Sequence, residues 1–106
     1  MTQIKTFPKK ELSIIIEAPF LSRLLDLLDI DDVPGYTVIP ALAGKGNNGS
    51  WQRDSLSSNA GRMVRVLIVL DEEKVPTVLK EVRTVLEHQM GIVTLSDVEV
   101  CRPELF

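Results

Sequence analysis

Apolar positions along this chain change period several times, and each change marks an element. Leu12-Ser13-Ile14-Ile15-Ile16-Glu17 is short and rich in β-branched residues, which predicts a strand buried on at least one face. After Pro19, welcome in the first turn of a helix, Phe20, Leu21, Leu24, Leu25 and Leu28 recur at helical spacing opposite Ser22, Arg23, Asp26 and Asp29. That is an amphipathic helix covering one face of a sheet. Tyr36 to Leu42 reads as a second strand, and Pro40 within it lacks a ladder donor, so the strand belongs at a sheet edge or a bulge. Met63 to Leu70 is the most continuous apolar run, as expected of a central strand covered on both faces. Behind the acids Asp71-Glu72-Glu73, residues Val75, Val78, Leu79, Val82, Val85 and Leu86 return to helical spacing, and Gly91 stops this helix after Met90. Ile92 to Cys101 is a last extended stretch, broken near Ser96-Asp97.

Strand, helix, strand, strand, helix, strand is the order of a ferredoxin-like α+β sandwich. In it the first and third strands are central and the second is an edge, in agreement with the unbroken third strand and with Pro40. Both helices then share one face of the sheet, and self-association is the expected cover for the other. The chain is expected to be one domain, residues 1–106, with residues 1–10 a tail without periodicity. Residues 43–61 show no secondary-structure pattern, and a connection that long in so small a domain points to function or mobility.

Composition narrows the function classes. At 106 residues, 44% apolar and 25% charged, the chain is an ordinary globule with one modest core. A net charge of -3 argues against a nucleic-acid backbone as partner. No apolar run reaches membrane length, the N-terminus lacks a cleavable apolar leader, and a single cysteine fits a reducing compartment, so a cytoplasmic location is expected. One His and one Cys are too few soft ligands for structural zinc.

Candidate chemistry concentrates where the second strand pours into Gly44-Lys45-Gly46-Asn47-Asn48-Gly49. Glycines let a backbone approach a bound group and point successive amides at an anion, and a lysine adds a point charge suited to phosphate. A flexible hairpin loop is the competing reading. The stretch fits neither a Walker loop, since Lys45 precedes Gly46 and not Ser or Thr, nor a dinucleotide fingerprint, since no helical pattern follows. Asp29-Ile30-Asp31-Asp32 is read as a solvated acidic turn and not a calcium loop. His88 lacks a catalytic partner and is read as a helix C-terminal cap, and Cys101 as an ordinary strand residue.

Gly35-Tyr36-Thr37-Val38 leading into Gly44-Lys45-Gly46, a long polar loop and an apolar strand ending in Asp71-Glu72 resembles the PII signal-transduction superfamily. The Gly-Lys-Gly form is similar to the PII-like branch associated with bicarbonate transport and carboxysomes. The resemblance implies a homotrimer with adenine nucleotides in clefts between subunits and a T-loop, here residues 43–61, that engages a protein partner. By position it implies that Thr37 meets the adenine, that the backbone near Val69 completes that pocket, and that Gly44, Lys45, Gly46 and Asn47 wrap the phosphates. Gly91 takes the place of the phosphate-contacting B-loop, and Arg102 reaches a neighbouring subunit's phosphate. Arg53, Arg62 and Arg65 are candidates for bicarbonate, with solvated arginines as the alternative. Asn48, Trp51 and Arg53 are candidates for the partner surface.

Departures from the family pattern shape the expectation. Asn47-Asn48 stand where the nitrogen-sensing branch has Arg-Gln, one extra residue lies between Thr37 and Gly44, and the B-loop lacks a lysine. Weaker phosphate grip favours ADP or AMP over ATP. The only tyrosine is Tyr36, outside the loop, so uridylylation is not expected. The leading expectation is therefore a non-enzymatic adenylate sensor, with bicarbonate as a second ligand. The alternatives are a nitrogen-regulatory PII-type sensor, a ferredoxin-like small-molecule enzyme or metal-tolerance protein, and an amino-acid-binding module of the ACT type. An RNA-recognition module shares the topology but needs aromatic sheet residues absent here.

Overall fold

The structure is a computed structural model that describes residues 4–46, 49–52, 62–87, 89 and 91–106. Strand β1 (Phe7–Glu17) runs through a 3₁₀ turn (Ala18–Phe20) into helix α1 (Leu21–Ile30). The short strand β2 (Thr37–Pro40) follows, then the ribbon strands β3 (Ala43–Gly46) and β4 (Gly49–Gln52). Strand β5 (Met63–Leu70), helix α2 (Val75–Leu86) and strand β6 (Ile92–Val100) complete the chain. The main sheet has the order β2-β5-β1-β6, with antiparallel pairing at each junction, and β3 pairs with β4 as a separate ribbon. This is the ferredoxin-like α+β arrangement, with β1 and β5 central and Pro40 on edge strand β2.

Alternation along the central strands sorts the two faces. Leu12, Ile14 and Ile16 of β1 lie beside Ile68, Val66 and Val64 of β5, and all but the half-buried Val64 are wholly excluded from solvent. Leu24 and Leu28 of α1 and Val75, Val78, Val82 and Val85 of α2 close over them. Each fully buried aliphatic side chain there contributes about 1.5–3 kcal/mol. The opposite face carries Glu11, Ser13, Ile15, Arg65, Leu67 and Val69, all only half-buried. Of the expected two-sided cover of β5, the described residues supply one side.

Several boundaries differ from those read in the sequence. The expected tail, residues 1–10, already holds strand from Phe7, because Phe7 to Lys10 pair with β6 from Val100 to Asp97. Pro8 is tolerated there since β5 reaches only as far as Lys10, leaving β1 a single neighbour at that point. The expected break near Ser96-Asp97 is absent. Those residues pair with Glu11 and Lys10, and the Lys10 ammonium bonds the Asp97 carboxylate across the ladder. Strand β2 spans Thr37–Pro40, shorter than Tyr36 to Leu42. Helix α2 ends at Leu86, not Met90, where the Gln89 side chain turns back to donate to the Val85 carbonyl at 3.0 Å. His88, expected to cap this end, lies outside the described residues.

Residues 43–61 were expected without secondary structure, but Ala43 to Gly46 pair with Gln52 to Gly49. Backbone pairing requires no apolar alternation, so a polar, glycine-rich ribbon escapes a hydrophobicity pattern. Gly49 has φ of +100°, a conformation that a Cβ would strain.

Candidate functional site

Four chain segments converge at one end of the sheet. Ala18 N–H donates to the Arg62 carbonyl at 2.9 Å, Ala41 N–H to the Met63 carbonyl at 3.0 Å, and Glu17 N–H to Gln89 Oε1 at 3.3 Å. These bonds set the ribbon base, the start of β5, the start of α1 and the turn before β6 side by side. Gly44 is half-buried, while Lys45 and Gly46 are exposed on the ribbon, with Lys45 opposite Ser50. Gly91 enters β6 so close to β1 that a Cβ there would stand 3.0 Å from the Ile15 carbonyl oxygen and 2.5 Å from Leu86 Cδ2. The glycine is needed here for packing.

Thr37 is exposed, opposite Leu67, and the β2 ladder runs no farther along β5 than that pair. Val69 lies two residues beyond it. Thr37 and Val69 therefore flank the point where the edge strand stops covering β5, on the side that leads toward Tyr36. Partial burial raises the Tyr36 phenol above its usual range, and Asp29, which accepts its hydrogen bond at 3.4 Å, adds to the effect.

Arg102 stands elsewhere. It follows β6 at the far end from Gly91, its side chain 71% exposed and 3.6 Å from the Glu104 carboxylate. Nine strand residues separate the two ends, about 26 Å at ~3.3 Å per residue. One bound molecule contacting Lys45, Gly91 and an arginine at position 102 must take that arginine from another copy.

The arginine candidates separate as well. Arg62 is exposed at the ribbon base. Arg65 projects on the open sheet face, where its Nε donates to Ser13 Oγ at 2.8 Å. Ser13 had drawn no attention in the sequence, and the signal available was its polar hydroxyl inside an otherwise apolar strand. Lys9, bonded to Asp71 with only 10% of its side chain exposed, was likewise hidden in what read as a tail. Asn47, Asn48 and Arg53 lie outside the described residues, and Trp51 is described only as part of strand β4.

Neither of two open depressions on the described chain, one along α2 beside Leu79 and Arg83 and one beside Lys10 and Asp97, includes a candidate residue. Among the described residues no three His, Cys, Asp or Glu side chains group to hold a metal. No helix among them is long and apolar enough to cross a membrane. Cys101 is a free, exposed thiol after β6.

A family model described as nitrogen regulatory protein P-II matches residues 9–105. Among curated proteins no sequence matches. Among solved structures, CPII, a nitrogen regulatory PII-like protein from Thiomonas intermedia bound to ADP, AMP and bicarbonate, is similar with a TM-score of 0.86 and 32% identity over 98% of each chain. The same protein bound to ADP, AMP and acetate gives 0.79 at 32% identity, over 97% of this chain and 98% of that one. A PII-like signalling protein from Thermus thermophilus gives 0.77 at 25% identity, over 96% of this chain and 98% of that one. With a match that spans both helices and all four strands of the main sheet, this chain belongs to the nitrogen regulatory protein P-II family.

Proposed function

We propose that this protein is a non-enzymatic PII-like sensor that binds ADP or AMP, in preference to ATP, together with bicarbonate, in clefts between copies of a cytoplasmic homotrimer. It signals the bound state to a protein partner through residues 43–61, in inorganic carbon metabolism. The observation that carries this reading is the likeness over 98% of each chain to CPII, a protein bound to ADP, AMP and bicarbonate.

In this reading Thr37 and the Val69 backbone receive the adenine beside the stopped β2 ladder. Gly44, Lys45, Gly46 and Asn47 hold the phosphates at the ribbon base, next to Gly91 and Arg102 from a second copy. Backbone amides and one ammonium suit a diphosphate or monophosphate. Arg62, exposed at that base, and Arg53 are the first bicarbonate candidates, with Arg65 more remote on the sheet face. Asn48, Trp51 and Arg53 form the partner surface. Signalling requires that ligand binding shift the loop's conformational population, since equal affinity for two states shifts nothing.

Calorimetric titration with ATP, ADP, AMP and cyclic AMP, each with and without bicarbonate, tests this reading. The expected outcome is saturable binding of ADP and AMP at one site per chain, altered by bicarbonate. Loss of the Lys45 charge in Lys45→Ala weakens ADP about tenfold, the size of one charge-assisted contact. No adenylate binding overturns the proposal. Magnesium-dependent binding of 2-oxoglutarate with ATP instead moves the protein to the nitrogen-sensing branch.

A further inference from the structure

On the open face of the sheet, two opposite charges stand without a match. Arg65 is half-buried, and its only described partner is the Ser13 hydroxyl, which takes Nε and leaves both terminal nitrogens without a described acceptor. Glu11 is half-buried on the same face, with no ion pair or side-chain hydrogen bond among the described residues. Arg65 lies opposite Ile15, four positions along β1 from Glu11 and about 13 Å away at ~3.3 Å per residue. The two are not paired with each other in this structure. The other acids on this side are already engaged, Asp71 with Lys9 and Glu17 within the chain.

Around these charges Leu67, Val69, Ile15 and the 58% exposed Ile92 share the face with the polar Thr37, Thr94 and Ser96. A cover that buries this surface without a carboxylate strands a guanidinium, which is strongly unfavourable. A second copy of the same chain brings that carboxylate itself, because every copy offers one Arg65 and one Glu11 on this face. We infer that Arg65 of one copy pairs with Glu11 of the next across the open face of the sheet. The inference rests on the assembly reading above and deepens it. A head-to-tail arrangement uses one such pair at every junction and leaves neither charge over when the ring closes. The planar guanidinium, already oriented through Nε by Ser13, presents its terminal nitrogens as a fork to the incoming carboxylate.

Sedimentation velocity over a concentration series tests the pairing with Arg65→Glu, Glu11→Arg and the double variant, each shown to be folded by circular dichroism. Each single reversal is expected to weaken association at least tenfold, and the double reversal to recover most of the parental association. Where a reversed chain fails to fold, Arg65→Met and Glu11→Gln carry the same test. Their combined effect is then expected to fall clearly short of the sum of the two single effects. Singles that associate like the parent, a double reversal no better than the weaker single, or additive neutral variants overturn the pairing while leaving the assembly reading intact. A monomeric parent overturns both.

Discussion

At the scale of single residues, Gly91 shows how packing alone can fix the residue type at a candidate site position. Its Cα approaches β1 so closely that an alanine methyl must push the Leu86 side chain and press on the Ile15 carbonyl. Leu86 can yield, but the backbone oxygen is held in the sheet. Gly91→Ala is expected to cost about 1–3 kcal/mol in urea unfolding with an unchanged denaturant slope. An unchanged midpoint would show that the strand gives way without cost. Tyr36 offers a second test, and as the only tyrosine it can be followed directly. Its phenol is raised above 10.0, chiefly by partial burial and then by Asp29. A raised folded-state value means that the neutral phenol stabilises the fold at lower pH. That contribution is complete below 10.0 and is lost as pH rises through the folded value. Phenolate absorbance in the folded protein is expected to have its midpoint above 10.0, and Asp29→Asn is expected to lower it without abolishing the shift, because burial remains.

At the scale of elements, pairing explains what periodicity could not. A two-stranded ribbon of four-residue strands, with Gly44, Gly46 and Gly49 among its eight paired residues, is marginal by itself in water. Among the described residues the core cluster draws on the main sheet and the two helices. Removal of residues 47–59 is therefore expected to change the unfolding free energy by less than about 1 kcal/mol and to spare assembly. Capture of the protein partner is expected to be lost. A shortened chain that no longer assembles on gel filtration would show that the ribbon carries contacts between copies. The long strands behave in the opposite way. β1 continues past the apolar run because β6 supplies partners as far as Phe7, and β6 continues through Ser96 and Asp97 because β1 supplies partners there. Once one ladder is in register, polar residues at its end are held by backbone bonds and by the Lys10–Asp97 pair.

At the scale of the whole molecule, the layers are unequal. One sheet face lies under two helices and holds the core, while the other exposes Ile39 and Ile92 with no described element of this chain above them. Under the proposed assembly that face would separate folding from association, since its described residues add little to the core of one copy. Ile92→Asp, at a position 58% exposed, is expected to leave the thermal unfolding of dissociated chains nearly unchanged and to weaken association at least about tenfold, measured by light scattering across concentration. Association equal to the parent's would remove Ile92 from the interface. Under the proposed reading, assembly also bears on ligand binding, because Gly91 and Arg102 flank opposite ends of β6 and could reach one ligand only across copies.

By itself, the sequence determined the order of the elements, the central place of β1 and β5, the edge place of Pro40 and the amphipathic faces of both helices. Those features are carried by local periodicity and by proline's missing donor, which act wherever the chain is placed. The glycines and lysine at the ribbon base stood out as residue types, but the ribbon they form did not. Only the tertiary structure decided how far β1 and β6 extend, that Gly44 and Trp51 are paired across a ribbon, that Gly91 is pressed against Ile15, and that Ser13 holds Arg65 on the open face. Each of these depends on which distant segment supplies the partner. Register between strands sets that choice, and periodicity within a single segment does not contain it.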